Sequence, residues 1–460
     1  MNFKSVFIFI TITVIPSLVL ALPSVPEIPP FPTIISNGYT YHVDKDVGSN
    51  LNNGSAVNPW ATLGYGINQL TAGETLIVHG ASTPYDEWFQ ISSAGTYDSW
   101  ITVIGVDGEN GEKVIVQNRL TFNSSAAYML IKNIDLHGGG WLKLRLFPDS
   151  HHLAFDDIEI DCQSSTDNYT GVWVDAGVNN VWFKDMDIHH CGYMKQNPTD
   201  CSGVCIKASA LPQLVNDIIF INVTARDNKG DGFSTSSNYL TVDSVYFDGC
   251  SAVHNTGDGF DIRANRVVFT DSVSIENGPD QGVGFKSWAT ETWLINCRTY
   301  NNEWEAVLYR PYEDNSEIYI LNCTFMGDNK EHYGGEIRNS KGFGTNNVYI
   351  YNNIFQSINT KAVVFEDVSK QTLAGEDHNY YFSANDPALK RAGETIAFQF
   401  RRNKGHGNKR EFRQDGSNIL RSYTFCEMGD GTWYAGEGLG EHDNGKAMDE
   451  DCIDNNRKND

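Results

Sequence analysis

The sequence predicts an all-β fold, a parallel β-helix with an N-terminal cap, and three observations carry that prediction. Short strand-like phrases recur through the middle of the chain: "IKNIDLHG", "FDDIEIDC", "FKDMDIHH", "FINVTARD", "YFDGCSAVHN", "FTDSVSIENG", "LINCRTYNN", "ILNCTFMGD" and "IYNNIFQS". An Asn or Asp marks the register of each (Asn133, Asp157, Asp185, Asn222, Asp248, Asp271, Asn296, Asn322, Asn352), at intervals of 23 to 37 residues. Within each unit Val, Ile, Phe, Tyr and Thr alternate with polar residues at period two, which is strand chemistry. Helical periodicity is almost absent between residues 100 and 370. A repeat of about 25 residues with two or three short strands makes one coil of a solenoid, each strand pairing with its counterpart one coil away. A leucine-rich horseshoe would need a leucine framework that is missing, and a propeller repeats at longer intervals.

The elements follow in order. Residues 1–21, "MNFKSVFIFITITVIPSLVLA", place one Lys ahead of an apolar run that ends in small residues, the pattern of a secretory signal peptide. A transmembrane helix is the alternative, opposed by Pro16 and by the Pro-rich linker at 22–38. The mature chain is therefore expected to be secreted, extracellular and monomeric. Residues 39–117 read as a strand, a loop, a short helix over Leu63 to Leu70 and further strands: the cap and first turns, since an open solenoid end needs covering. The β-helix with its cap is expected over 39–385, followed at 386–460 by a C-terminal cap or flap and a polar tail with the composition of a disordered segment.

Composition narrows the function. A formal charge of −24, from 34 basic against 58 acidic residues, argues against a nucleic-acid-binding surface. Any acidic substrate would need a local cation to hold it. Sequons at Asn53, Asn123, Asn168, Asn222 and Asn322 would fit an exported glycoprotein. Nine cysteines are too few for a disulfide-built scaffold of this length, and an odd count leaves at least one thiol unpaired within the chain. The cluster Cys191, Cys201 and Cys205, with His189 and His190 just before it, raises a zinc site, although its spacing fits no common ligand pattern. Cys426 and Cys452 could close the tail.

Three phrases, "NKGDGFSTS", "NTGDGFDIR" and "DQGVGFKSW", align on Phe233, Phe260 and Phe285, one coil apart. Phe should point inward, and the residue after it outward: Ser234, Asp261, Lys286. Asp231 and Asp258 stand two residues before their Phe and should be neighbours on one outer face, with Lys286 about 4.8 Å from Asp261. Carboxylates gathered this closely repel one another. A calcium ion would offset that, since a hard cation takes several oxygen ligands. Turn-forming Asp-Gly pairs and a solvated ion pair are the simpler alternative. With Ca²⁺ beside it, Lys286 could reach the neutral form a base requires. Such a pair suits proton abstraction next to the carboxylate of a uronic-acid polymer, followed by β-elimination.

The stretch from "DGFSTSSNYLTVDSVYF" through "DQGVGFKSW", and the N-terminal "NPWATLGYGINQLTAGETLIVHG", resemble the pectate lyases of polysaccharide lyase family 9. The resemblance implies a right-handed parallel β-helix, with Asp231, Asp258 and Asp261 as calcium ligands and Lys286 as the Brønsted base. Where the family has two adjacent aspartates this chain has Gly257 and Asp258, and "SWA" replaces the glycines that usually follow the Lys. Arg263, Trp288 and Arg310 are candidate substrate-binding residues. Trp304 and Tyr309 fall close enough to line the same groove, or to be packing residues.

Two rivals remain open: a glycoside hydrolase using Asp258 with Asp261, or Asp231 with Asp258, as its acid pair, and a non-catalytic carbohydrate-binding or surface protein. The "GHG" at 405–407 lies outside the ladder, and no Asp-Pro-His phrase of an alginate epimerase accompanies it.

Overall fold

In the computed structural model, the described residues run from 22 to 383, apart from 139–141, 163–169, 193–202, 208–213, 236–240, 280–281, 329–335, 341–343, 358–362, 366–369 and 378. Beyond 383 only strand fragments are described. The expected signal peptide, Asn168, Cys201, Cys452 and most of the tail lie outside the described residues.

Through the central repeats, each coil contributes three strands. In one these are Ser244–Asp248, Ser251–Val253 and Phe260–Ile262; in the next, Arg266–Thr270, Val273–Ile275 and Phe285–Ser287; then Glu291–Ile295, Arg298–Tyr300 and Val307–Tyr309. The first two of each set belong to a 22-stranded sheet and the third to a 13-stranded sheet. Pairing between these coils is parallel and in register. The fold is the predicted all-β solenoid, with one short helix at Leu63–Gln69.

The bends explain the marker residues. Asn133, Asp157, Asp185, Asn222, Asp271, Asn296, Asn322 and Asn352 all have φ between 49° and 59°. This left-handed conformation is one that Asn and Asp tolerate better than other non-glycine residues. At Asp248 the expected register is off by one, because the neighbouring Gly249 takes the corner, with φ 64°.

Inward side chains stack along the solenoid axis. Phe155, Phe183, Phe220, Phe247 and Phe269 form one column with ring centroids 5.0–5.3 Å apart, and Phe233, Phe260 and Phe285 a second at 4.9 Å. The columns meet edge to face. Each buried ring contributes about 2–3 kcal/mol by removal from water, and together they fix which way every following residue points.

A polar thread runs beside them. Asn228, Asn255, Asn277 and Asn302 are buried. Each donates its side-chain amide to the side-chain oxygen one coil on, at 2.8–3.0 Å, the last to Asp328. Each also donates to a backbone carbonyl of the preceding coil, at 2.9–3.2 Å. The same oxygens accept the backbone N–H groups of Cys191, Asn228, Asn255 and Asn277. These asparagines satisfy buried backbone groups that would otherwise be costly.

At the N-terminal end the helix buries Leu63, Gly64, Gly66 and Ile67, and Glu87 accepts the N–H groups of Leu63 and Gly64. Residues 22–36, read from sequence as part of a linker, lie along the outside of the larger sheet. Leu22, Val25, Ile28, Phe31 and Ile34, spaced by three, pack against an outer apolar row that includes Leu130, Trp182, Tyr246 and Trp293. Three is the period of a polyproline II helix.

Cys162 and Cys191 form a disulfide between adjacent coils, so Cys191 is not the zinc ligand that the cysteine cluster had suggested. Cys205 is also disulfide-bonded, while Cys250, Cys297 and Cys323 are free and buried.

Asp328 ends the asparagine thread, accepting from the backbone and side chain of Asn302 and bonding the Thr299 hydroxyl. Burial pushes its carboxyl up to about 7, against the pull of those hydrogen bonds. The unfolded carboxyl titrates near 3.9, so the folded chain holds a proton that the unfolded chain has released. The contribution is complete below the unfolded value and is lost as pH rises through about 7. Stability should therefore fall between about pH 4 and about pH 7, by roughly 4 kcal/mol at most from this group, and level off above that. Asp328→Asn, which keeps the ladder geometry, should flatten that slope in a pH series of denaturant melts.

Candidate active site

The strands Phe233–Thr235, Phe260–Ile262 and Phe285–Ser287 lie side by side in the smaller sheet, with Phe233 opposite Phe260 and Phe260 opposite Phe285. Ser234, Asp261 and Lys286 are therefore register partners on the outer face, as the alternation predicts. Glycine precedes each Phe because the coils approach closely there. A Cβ at Gly259 would lie 2.8 Å from the carbonyl oxygen of Gly284 in the next coil.

The predicted charged residues meet. Lys286 Nζ is 2.8 Å from Asp258 Oδ2 and 2.8 Å from Asp261 Oδ2. The other oxygen of each carboxylate is pinned by an N–H: Asp258 Oδ1 accepts from the Val283 backbone at 2.9 Å, and Asp261 Oδ1 from the Trp288 indole at 2.7 Å. Asp231 Oδ1 accepts the Asp258 N–H at 2.9 Å. Asp231 and Asp258 thus occupy the same position in consecutive coils. Asp231 does not close tightly with the other two, because the groups of three His, Cys, Asp or Glu with ligand atoms within 4.8 Å of one another lie elsewhere among the described residues.

The electrostatics follow from burial. Desolvation, then the neighbouring Asp258 and Asp261, hold the Asp231 carboxyl well above the usual range. Desolvation raises Asp258 to about 6, against the opposing attraction of Lys286. Burial alone would push the Lys286 ammonium toward neutrality, but Asp258 and Asp261 override it and hold its pKa above that of an ordinary lysine. In this arrangement Lys286 is a firmly protonated cation shared by two carboxylates.

Arg263, Trp288 and Arg310 gather next to this group. The guanidinium carbons of Arg263 and Arg310 lie 4.8 Å and 5.1 Å from the Trp288 ring, and Lys286 Nζ lies 5.7 Å from it. Arg263 also approaches Asp261 at 3.9 Å. The Nε atoms of both arginines are buried without a hydrogen-bond partner, donors that an anionic ligand could satisfy. Trp288 is closely packed. It is only 8% exposed, stacks on Tyr312 at 5.1 Å and spends its N–H on Asp261. Tyr309 is a core residue, fully buried, with its hydroxyl donating to the Ala289 carbonyl at 3.3 Å. Tyr312, which supports Trp288, escaped the sequence reading; its place two residues after Arg310 was the available signal.

A family model described as the Pel9A-like, right-handed beta helix region matches residues 41–346. Among solved structures, the GH136 lacto-N-biosidase from Eubacterium ramulus is similar at a TM-score of 0.53 and 12% identity, over 75% of this chain and 68% of that one. A rhamnogalacturonan lyase is similar at a TM-score of 0.47 and 17% identity, over 74% and 87% of the two chains. Pectate lyase Pel9A is similar at 0.45 and 18%, over 75% and 80%. At 12% identity the likeness to the lacto-N-biosidase is one of fold. No curated protein matches the chain in sequence.

Gly257, where the aspartate pair is broken, has a steric cause in this chain. A Cβ there would lie 2.4 Å from Asp231 Oδ1 and 3.0 Å from the Asp231 backbone nitrogen. Gly257→Ala should lower stability by about 1–3 kcal/mol, as overpacking does, visible as a reduced melting temperature. An unchanged melting temperature would mean that Asp231 is free to move aside.

Proposed function

Since the chain belongs to the Pel9A-like right-handed β-helix family, we propose that it is a secreted, calcium-dependent polysaccharide lyase that cleaves a uronic-acid polymer by β-elimination with Lys286 as the base. The observation that carries this reading is the meeting of Lys286 with Asp258 and Asp261, each 2.8 Å away, beside two arginines. The donor set suits a hard cation: carboxylates only, with Asp258 Oδ2 and Asp261 Oδ2 directed at one cationic group. Asp258 and Asp261 would hold the ion, and Asp231, which stands apart from them here, would have to move in to join them. A bound calcium ion supplies the charge that neutralises the substrate carboxylate next to the acidic C–H.

The chain's own groups do the rest. Arg263 and Arg310 would orient the polymer through its carboxylates, using their unpaired Nε–H groups. Trp288 holds Asp261 in place through the indole N–H. Lys286 must give up its pairing with both carboxylates before it can be neutral, since their field stabilises the ammonium. Nζ would then take the C5 proton. The C–H electron pair forms the C4–C5 double bond, the C4–O bond breaks, and the departing oxygen takes a proton from solvent.

A hydrolase reading has its own support, because burial keeps Asp231 and Asp258 protonated to higher pH, as a general acid requires. The products separate the two. A lyase leaves an unsaturated, ultraviolet-absorbing end for each bond cut, and a hydrolase leaves none. Secretion would follow from residues 1–21, and the exposed Asn53 and Asn222 would be open to glycosylation.

On polygalacturonate, rhamnogalacturonan and alginate, one of the three is expected to yield the unsaturated product, and a chelator should stop it. Lys286→Ala should reduce the rate by roughly 10²–10⁴-fold, the usual worth of a positioned base, while leaving the melting curve cooperative. Undiminished product from that variant would overturn the assignment of the base. Arg263→Ala and Arg310→Ala should mainly raise KM.

A further inference from the structure

We propose that Asp161, His189 and His190 form a binding site for a divalent transition-metal ion of the zinc class, on a different sheet from Lys286. The sequence placed His189 and His190 beside a cysteine cluster, but Cys191 is bound to Cys162 and leaves the imidazoles to another partner. That partner is Asp161, the register neighbour of His189 in the preceding coil. His189 Nδ1 and His190 Nδ1 are 2.9 Å apart, and Asp161 Oδ1 lies 3.1 Å from the second and 3.5 Å from the first. Ligands bound to zinc at about 2.0–2.2 Å in a tetrahedron stand roughly 3.3 Å from one another. The three separations, 2.9–3.5 Å, bracket that spacing, so small shifts would admit the ion.

Neighbouring residues on a strand normally point to opposite faces. His190 escapes the rule because it stands at a corner with φ 56°, which brings its ring edge-on to His189, centroids 4.6 Å apart. The corner itself is ordinary for this fold, since Asp227, His254 and Glu276 take the same conformation there in later coils. The acid, the imidazole pair and the orienting group below are what this coil adds.

Glu159 is the orienting group. Its Oε1 lies 2.9 Å from His189 Nε2, on the edge of the ring facing away from Asp161. A carboxylate there holds the proton on Nε2 and leaves a lone pair on Nδ1, the arrangement that accompanies histidine ligands to metals. That lone pair and the Asp161 oxygen then lie 3.5 Å apart, with the His190 Nδ1 within 3.1 Å of both. A cation placed among them satisfies all three donors. Two imidazoles and one carboxylate suit zinc rather than calcium. His189 is buried, His190 is 45% exposed at its side chain, and so a fourth position opens to water. The disulfide clamps the residues that follow Asp161 and His190, holding the two coils together at the site before any ion arrives.

The test is titration of the full-length protein with zinc chloride, in the presence of excess calcium, followed by calorimetry and metal analysis. One zinc per chain is expected, with an X-ray absorption spectrum of nitrogen and oxygen ligands. His190→Asn, which tolerates the left-handed corner, and Asp161→Asn should each abolish stoichiometric uptake while melting near the wild-type temperature without metal. Glu159→Gln should weaken binding roughly 10–100-fold. Lys286→Ala should bind zinc as the wild type does, so failure of the lyase reading and failure of this one are distinguishable. Undiminished uptake by the His190→Asn and Asp161→Asn double variant, a sulfur-ligated spectrum, or no uptake by the wild type would each overturn the proposal.

Discussion

Asn228, Asn255, Asn277 and Asn302 hand one hydrogen bond to the next through the interior of the solenoid, and the position of every outward side chain in these coils depends on that thread. A buried amide must be satisfied, and each is satisfied only if the coil above sits at the right height and rotation. The thread therefore resets the register once per coil. Chain length between markers can vary widely without the error accumulating. Asp231 and Asp258 stand three residues after Asn228 and Asn255, close enough that the thread dictates where their carboxylates emerge.

What emerges is a balance of charges in a confined space. Two carboxylates share an ammonium, and a third is held toward its neutral form by burial and by their field. Each carboxylate has one oxygen fixed by a protein N–H, so the acids are held in place and their remaining interactions are exchangeable. A site built this way can trade one cation for another at little cost in structure. Arg263 and Arg310, stacked over Trp288, extend the positive character beyond the aspartates on a chain whose overall charge is strongly negative.

Much of this was legible in the sequence, and the failures are physically instructive. Alignment on Phe233, Phe260 and Phe285 was enough to place Asp261 beside Lys286, because a large apolar residue before an outward polar one fixes both faces at once. The marker asparagines were found because left-handed corners restrict composition sharply. The asparagine thread was not visible, since an Asn that feeds a ladder and an Asn that turns a corner look alike in one dimension. Trp288 was legible as a candidate for substrate binding, but its neighbours Tyr312, Arg263 and Arg310 come from three-dimensional packing that one dimension does not show. The pairing of Cys162 with Cys191 joins residues one coil apart, a distance that depends on the loop length of that coil.

The segment at 22–36 changes how such a molecule should come apart. A solenoid whose coils touch only their neighbours unfolds like a zipper, free to fray from either end. Here the Ile35 carbonyl accepts the N–H of Trp100 and the Pro29 carbonyl that of the Trp182 indole, residues in well-separated coils. The same short stretch lays apolar side chains along the intervening row. It acts as a splint across the stack, so that opening one coil beneath it strains its hold on the others. A nearest-neighbour chain is thereby given a longer-range coupling, and the N-terminal coils should behave as one cooperative block.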